Sequence, residues 1–154
     1  MEIERKFLTR NVPCPLSTLT CSSITQYYIS VYPTIRIRQK DQAYWLTVKG
    51  SGTLSREEFN LPLTQEEFHI LQKKAETLPI IKDRYTIPLG QALVAELDIY
   101  HGALEGLITT EVEFASEKDA LQFQPPSWFG TEVTYDTRYT NASLALYGIP
   151  KEKQ

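Results

Sequence analysis

Charged residues at alternate positions recur along this chain, beginning with the carboxylates of Glu2 and Glu4 and the ammonium group of Lys6. Successive side chains of a β-strand point to opposite faces, so residues two apart share a face. The same spacing recurs at Arg36/Arg38, Thr47/Lys49, Arg56/Glu58, Lys82/Arg84, Glu96/Asp98 and Glu111/Glu113. Most of these doublets carry one sign of charge. Like charges two apart repel, which is tolerable when opposite charges or a bound ion face them, so we expect the charged faces to line an enclosed space.

The two kinds of charge predict two ligands that arrive together. Arg and Lys bind phosphate oxygens, and carboxylates bind hard divalent cations such as Mg²⁺ or Mn²⁺. Such a cation polarises a phosphoryl oxygen and lowers the pKa of bound water. Phosphoryl transfer depends mainly on positioning and charge stabilisation, so it requires no Ser, Cys or His nucleophile. For any single doublet, the alternative is the wet face of an antiparallel sheet. The repetition of one-sign doublets favours a phosphate chain bound with its metal.

Most of the chain has the alternating pattern of β-strands. Apolar residues such as Ile37, Val48 and Leu97 lie between the charged ones, so each strand has one apolar and one charged face. The predicted strands are 2–8, 24–31, 34–39, 43–50, 54–63, 80–87, 92–100, 107–115 and 132–138.

Helices are fewer. Thr64 and Glu67 form a capping-box pattern before apolar residues at helical spacing, which predicts a helix over 65–77 that ends before Pro79. Weaker signals predict short helices over 116–123 and 141–147. We therefore predict a mainly β (α+β) fold, a closed eight-stranded antiparallel barrel with a few peripheral helices. A barrel of this size has no exposed edge strands and can hold one small ligand.

Chain length and net charge limit the number of domains and the classes of partner. The 154 residues predict a single domain, 1–154, and the net charge of −3 argues against a nucleic-acid partner. No apolar run is long enough to cross a membrane, and no signal peptide precedes the motif at residue 2, so we expect a cytoplasmic protein. Tyr32 and Tyr44 are candidate exposed aromatic residues that could support a homodimer.

The charged motifs also resemble a known family. Glu2-Ile3-Glu4-Arg5-Lys6-Phe7-Leu8 resembles the signature of the CYTH proteins, also called triphosphate tunnel metalloenzymes. The family's later motifs follow in order as Gln26-Tyr27-Tyr28, Arg36-Ile37-Arg38, Thr47-Val48-Lys49, Arg56-Glu57-Glu58, Lys82-Asp83-Arg84-Tyr85, Glu96-Leu97-Asp98, Glu111-Val112-Glu113 and Arg138-Tyr139-Thr140-Asn141. The resemblance extends from residue 2 to about residue 149. Within the family, the stretch Pro125-Pro126-Ser127-Trp128-Phe129-Gly130 is similar to one in compact bacterial inorganic triphosphatases.

The resemblance implies a tunnel that binds triphosphate with Mg²⁺ or Mn²⁺ and hydrolyses inorganic triphosphate to pyrophosphate and phosphate. It implies catalytic roles for Glu4, Lys82, Glu111 and Glu113, with Lys82 hydrogen-bonded to the attacking water or the leaving group. The implied phosphate ligands are Lys6, Arg36, Arg38, Lys49, Arg56, Lys82, Arg84 and Arg138. The implied metal carboxylates are Glu2, Glu4, Glu58, Asp98, Glu111 and Glu113.

One position departs from the family pattern, and two other functions stay open. Many relatives have an acidic residue two positions after Glu58, whereas this chain has Asn60, which brings one negative charge less to any second metal. A first alternative is a nucleotide-using member of the same fold, an adenylate cyclase or a nucleoside or thiamine triphosphatase. The second is a non-catalytic module that binds polyphosphate or nucleotide, although an anion-binding module has little use for six carboxylates.

Overall fold

The strands of this protein form a single antiparallel sheet, as a computed structural model that describes residues 1–151 shows. In chain order the strands are β1 Glu2–Leu8, β2 Thr20–Ser30, β3 Thr34–Lys40, β4 Ala43–Lys49, β5 Ser55–Arg56, β6 Glu58–Leu63, β7 Ile80–Gly90, β8 Leu93–His101 and β9 Ile108–Glu113. Their order across the sheet is β5-β1-β9-β8-β7-β2-β3-β4-β6. Strand pairing is the main framework of the molecule.

The sheet closes into a barrel through one interrupted strand. Only Glu57 separates β5 from β6, yet β5 pairs with β1 and β6 pairs with β4 at the opposite end of the sheet order. Counted as one strand, β5 and β6 complete a ring of eight. The predicted closed eight-stranded antiparallel barrel is therefore confirmed, and closure leaves the sheet without a long unpaired edge.

Three helices lie outside the strands: α1 Gln65–Gln72, α2 Glu117–Gln122 and α3 Asn141–Tyr147. The capping box of α1 is present, because the Thr64 hydroxyl accepts from the Glu67 backbone N–H and the Glu67 carboxylate accepts from the Thr64 N–H. The prediction that this helix extends to residue 77 is wrong. The chain turns after Gln72, and the Glu76 N–H instead donates to the Tyr28 carbonyl oxygen.

The predicted strand over 132–138 is also wrong. Glu132 forms one isolated bridge with Phe7, and Thr137–Tyr139 is a single 3-10 turn. The Asp136 carboxylate accepts from the Arg138 N–H and caps that turn. An Asp side chain that bonds the backbone two residues on favours a turn over a strand, which explains the difference.

Apolar side chains form two buried clusters, one on the outer surface of the barrel and one at its end. On the outer surface, Phe7, Leu97 and Val112 form a buried cluster with Phe129 and with Ala120 of α2. At one end of the barrel, a second cluster joins Leu144 of α3 to apolar residues of β2, β7 and β8, among them Tyr28, Ile80 and Tyr100. Packing on these surfaces leaves the charged faces of the strands inside the barrel.

No helix within residues 1–151 has both the length and the apolar character needed to cross a membrane. All nine strands described within residues 1–151 belong to the one sheet. The single domain over 1–154 stays a prediction, and its last three residues lie outside the described part of the chain.

Candidate active site

The register of the strands brings the predicted doublets together on the inner face of the barrel. Residues that are direct cross-strand neighbours have side chains on the same face, only about 5 Å apart at their Cβ atoms. The pairs formed in this way include Glu2–Arg56, Glu4–Glu113, Lys6–Glu111, Arg36–Thr47, Lys49–Glu58, Arg84–Asp98 and Glu96–Glu111. Seven doublets predicted from local spacing thus form one continuous lining.

A cavity of about 450 Å³ opens at one end of this lining. The Gly50–Thr53 loop and the 133–143 segment form part of its wall. The spacing of charged residues did not predict that Gly50-Ser51-Gly52 lies at the cavity. Six of the predicted site residues lie on the wall: Glu4, Lys6, Arg36, Lys49, Arg56 and Glu111.

The Glu4 carboxylate has no ion-pair partner among residues 1–151. Burial raises the pKa of Glu4 well above its ordinary value, and the negative charges of Glu111 and Glu2 raise it further. Among residues 1–151, no hydrogen bond or ion pair holds the Glu4 carboxylate. A bound cation would supply the charge that this group lacks.

Glu111 has the opposite environment although it neighbours Glu4. Burial opposes ionisation, but the charges of Lys6 and Arg84 outweigh it and lower the pKa of Glu111 to about 2. Lys6 Nζ lies 3.6 Å from Glu111 Oε1 and donates to the Tyr139 carbonyl oxygen at 2.6 Å. The 3-10 turn therefore helps to hold Lys6, a contact that the spacing of charged residues did not predict.

A second group of carboxylates is held by Lys49 and Asn60. Lys49 Nζ lies 2.9 Å from Glu2 Oε1 and 3.5 Å from Glu58 Oε2. Asn60 Nδ2 donates to Glu58 Oε1 at 2.8 Å, and the Thr47 hydroxyl donates to Asn60 Oδ1 at 2.6 Å. The amide at position 60 therefore binds a neighbouring carboxylate, where an acidic residue would repel it.

These contacts and burial shift the pKa values of both Glu2 and Glu58. Burial opposes ionisation of Glu58, but hydrogen bonds with Glu2 and Asn60 and the charge of Lys49 lower its pKa to about 2. Burial raises the pKa of Glu2, and the hydrogen bond shared with Glu58 adds to the rise, against the influence of Lys49. The pair consequently holds a proton more readily at Glu2 than at Glu58.

The guanidinium groups of β3 have few partners. Arg36 Nη2 donates to the Thr47 hydroxyl at 3.3 Å, while Arg36 Nε is buried and has no partner among residues 1–151. Arg38 Nε donates to Gln26 Oε1 at 2.9 Å. Burial and the charges of Arg36 and Arg84 lower the pKa of Arg38 to about 9. An unpartnered buried donor beside crowded positive charges is favourable for an anion.

Lys82, Arg84 and Asp98 form a deeper cluster that the cavity wall does not include. Lys82 Nζ lies 2.7 Å from Asp98 Oδ2, and both side chains have no exposed surface. Arg84 makes two hydrogen bonds to Asp98 and an ion pair with Glu96. Burial lowers the pKa of Lys82 to about 7, with Asp98 opposing the shift and Arg84 and Arg38 adding to it.

Two predicted site residues, Arg138 and Glu113, are exposed and are not on the cavity wall. The Arg138 side chain is largely exposed and pairs with Asp136, with 2.6 Å between Nη2 and Oδ2. It is not on the cavity wall, so the structure does not bring it to the other phosphate-binding candidates. Glu113 lies at the rim and is exposed, and burial of part of its carboxylate together with the charges of Glu96 and Glu58 raises its pKa.

Oxygen donors suited to Mg²⁺ or Mn²⁺ are present, although they do not form a finished cage. No three Asp, Glu, His or Cys side chains of residues 1–151 converge closely enough to hold a metal as they stand. The half-buried Glu4 carboxylate nevertheless has no hydrogen-bond or ion-pair partner among residues 1–151, and the negative charges of Glu111 and Glu2 act on it. Such a donor set is chemically suited to a hard divalent cation, and binding would require the carboxylates to adjust.

The chain is similar to known proteins both in sequence and in fold. The model of the CYTH domain family matches residues 1–132. The chain is 40% identical to an inorganic triphosphatase of Nitrosomonas europaea over 149 residues, which is 94% of this chain and 97% of that protein. The crystal structure of the inorganic triphosphatase NE1496 matches with a TM-score of 0.71 and 36% identity, covering 98% of this chain and 97% of that one. The PH1819 protein of Pyrococcus horikoshii OT3, 20% identical with a TM-score of 0.53 over 79% of this chain and 82% of that one, shares the fold.

Proposed function

Because the chain belongs to the CYTH domain family, we propose that it hydrolyses inorganic triphosphate to pyrophosphate and phosphate with the help of a divalent metal. The enzyme acts on a phosphoric anhydride, and its substrate is a small molecule. One observation supports this function above the others: a buried guanidinium nitrogen of Arg36 and the half-buried carboxylate of Glu4, neither with a hydrogen-bond partner among residues 1–151, belong to the same cavity. An anion that carries its own cation satisfies both groups at once.

The basic residues of the wall bind the phosphate chain in this proposal. Arg36 has a free Nε donor, and Lys6, Lys49 and Arg56 contribute positive charge from three other strands. Arg38 and Arg84 add charge from the inner part of the barrel. Binding is favourable because the phosphate oxygens replace repulsion between these cations by charge-assisted hydrogen bonds. We retain Arg138 as a phosphate ligand only as a prediction, since it would first have to leave Asp136.

The carboxylates of the barrel hold the metal. We place it at Glu4 and Glu111, with Glu2, Glu58 and Glu113 as further candidate ligands, and either Mg²⁺ or Mn²⁺ suits these oxygen donors. The bound ion neutralises phosphate charge and lowers the pKa of water. Without an ion, the Glu4 carboxylate has no ion pair within the described residues, and the charges of Lys49 and Lys6 only partly offset burial and its negative neighbours. We therefore expect metal binding to be coupled to substrate binding.

Lys82 is the candidate for proton handling. Its pKa of about 7 means that Nζ can hold or release a proton near neutral pH. In this role it would hydrogen-bond the attacking water or the leaving phosphate. Lys82 lies behind the cavity wall, so this role requires the substrate to reach further into the barrel than the cavity itself extends.

Phosphate release from tripolyphosphate and from ATP tests the proposal. Both assays are performed side by side with Mg²⁺, with Mn²⁺ and with EDTA. We expect rapid, metal-dependent release from tripolyphosphate and little from ATP. Faster turnover of ATP would favour a nucleotide-using enzyme, and release of pyrophosphate with a cyclic product would identify a cyclase. Binding without turnover of either compound would contradict the enzymatic function and favour a phosphate-binding module.

The remaining partner predictions are proposals of the same kind. We propose a cytoplasmic protein without a nucleic-acid partner, in keeping with the net charge of −3. Of the two aromatic residues suggested for a homodimer, Tyr32 is 83% exposed, whereas Tyr44 packs on Phe68 with 5.1 Å between ring centroids. Light scattering after size-exclusion chromatography distinguishes a monomer of 17.7 kDa from a dimer.

A further inference from the structure

Both oxygens of the Asp98 carboxylate are in contact with protein cations, and the side chain is fully buried. Arg84 Nε lies 2.8 Å from Oδ1, Arg84 Nη2 lies 2.9 Å from Oδ2, and Lys82 Nζ lies 2.7 Å from Oδ2. Two protein cations thus occupy both oxygens, and the side chain has no exposed surface. Metal ligands in a catalytic site need accessible lone pairs beside the substrate. Asp98 differs in this respect from Glu4, which lines the cavity and has no cationic partner among residues 1–151.

The groups around Asp98 form a continuous buried network. The Lys82 ammonium lies 5.3 Å from the centre of the Tyr100 ring, and the Tyr100 hydroxyl donates to Asn141 Oδ1 at 2.9 Å. Arg84 also pairs with Glu96, with 2.9 Å between Nη1 and Oε2. An isolated Lys at full burial would be strongly unfavourable, so the position of Lys82 depends on its counter-charge.

We propose that Asp98 is a positioning residue that holds Lys82 and Arg84 at the inner end of the barrel, and that it does not bind the metal. This inference rests on the proposed function, because the cations that Asp98 holds are those that would meet the phosphate chain. Asp98 itself is not on the cavity wall. It acts through Lys82, whose ammonium it locates, and through Arg84, whose planar guanidinium it orients by two parallel hydrogen bonds.

Two variants separate positioning from metal binding. In D98N the carboxylate becomes an amide of the same size, and E4Q makes the matched change at a cavity carboxylate. Mn²⁺ affinity is measured by EPR titration without substrate, so that the result does not depend on turnover. We expect D98N to keep the Mn²⁺ dissociation constant within about threefold of wild type, whereas E4Q raises it by about tenfold or more, as loss of metal-site partners typically does. An equal loss of Mn²⁺ affinity in D98N and E4Q would overturn the inference.

A double-mutant cycle with K82M tests whether Asp98 acts through Lys82. We expect D98N alone to lower kcat/KM for tripolyphosphate by about tenfold or more, and to change it by less than about threefold when K82M is already present. Full additivity of the two substitutions contradicts the positioning role. D98E restores the negative charge and should recover part of the activity lost in D98N. If only the size and shape of the Asp98 side chain mattered, D98N would be more active than D98E.

If D98N does not fold, K82M and K82M/D98N provide the same Mn²⁺ comparison, since removing both members of a buried ion pair is better tolerated than removing one. If the wild-type chain does not hydrolyse tripolyphosphate, the proposed function fails. The Mn²⁺ titrations of D98N and E4Q still decide whether Asp98 is a metal ligand.

Discussion

Glu4 and Glu111 are expected to affect stability in opposite directions, although both lie on the same cavity wall. E111Q removes a carboxylate that the charges of Lys6 and Arg84 stabilise. E4Q removes a carboxylate that burial and two negative neighbours destabilise. The protein without metal should therefore unfold more easily as E111Q and less easily as E4Q. Both variants should lose metal-dependent turnover.

The magnitude for E111Q follows from its pKa. The folded protein lowers the pKa of Glu111 from 4.5 to about 2, and one pKa unit corresponds to about 1.4 kcal/mol. At neutral pH, ionised Glu111 thus contributes about 3 kcal/mol to the free energy of unfolding, as an order of magnitude. For a chain of this length, that loss lowers the melting temperature by about 6–12 °C. For E4Q we predict the direction alone, an increase in the melting temperature.

The pH dependence has a definite sign for each group. Because folding lowers the pKa of Glu111, its stabilisation is present above pH 4.5 and disappears as the pH falls through about 2. Folding raises the pKa of Glu4, so the ionised form is unfavourable, and stability is lost as the pH rises through that raised value. The difference between E4Q and wild type should therefore shrink on acidification.

Thermal and urea unfolding in EDTA, at neutral pH and at mildly acidic pH, measure these effects. Circular dichroism confirms that each variant folds before it melts. Equal stability of E111Q and wild type would refute the reasoning about Lys6 and Arg84. Shifts of the same sign in both variants would refute the claim that the two carboxylates have opposite environments.

Three further changes have outcomes that depend on single contacts. R36A should raise KM for tripolyphosphate by tenfold or more, which corresponds to a loss of about 1.4 kcal/mol of phosphate binding. It should leave the melting temperature of the metal-free protein unchanged or higher, because Arg36 Nε has no partner within the described residues. Steady-state kinetics and thermal melts measure the two effects. G52A should raise KM, since its Cβ would lie 2.2 Å from the Ser55 carbonyl oxygen and displace the loop at the cavity, whereas G90A, also at positive φ but with open space around the Cβ, serves as the kinetic control. T64A removes the capping box of α1 and should cost about 1 kcal/mol in urea unfolding without changing kcat/KM, because that helix is not on the cavity wall.

Strand periodicity was sufficient to predict the lining of the barrel. Alternation places Arg36 and Arg38, or Lys82 and Arg84, on one face whatever the rest of the chain does. The capping box of α1 was likewise recognisable from Thr64, because it depends only on neighbouring residues. These features are local, and the structure agrees with each of them.

Errors occurred where local pattern competes with another contact. The 132–138 segment has strand-forming residues, but Asp136 bonds the backbone of the following turn and the segment leaves the sheet after one bridge. The helix starting at Gln65 ends early because the following residues bond to the β2–β3 connection through Glu76. Neither contact can be recognised from residue spacing, because each depends on the geometry of the folded chain.

Residue spacing alone predicts which residues share a face and that these faces carry both signs of charge. Which carboxylate contacts which cation depends on the folded molecule. Among residues 1–151, Glu4 has no ion-pair partner, Glu111 lies beside Lys6, and Asp98 contacts Lys82 and Arg84. The physical reason is that such pairs join residues distant in the chain, and their geometry depends on strand register and barrel closure. Local spacing can therefore predict a charged tunnel, while the individual role of each charge depends on the folded neighbours that surround it.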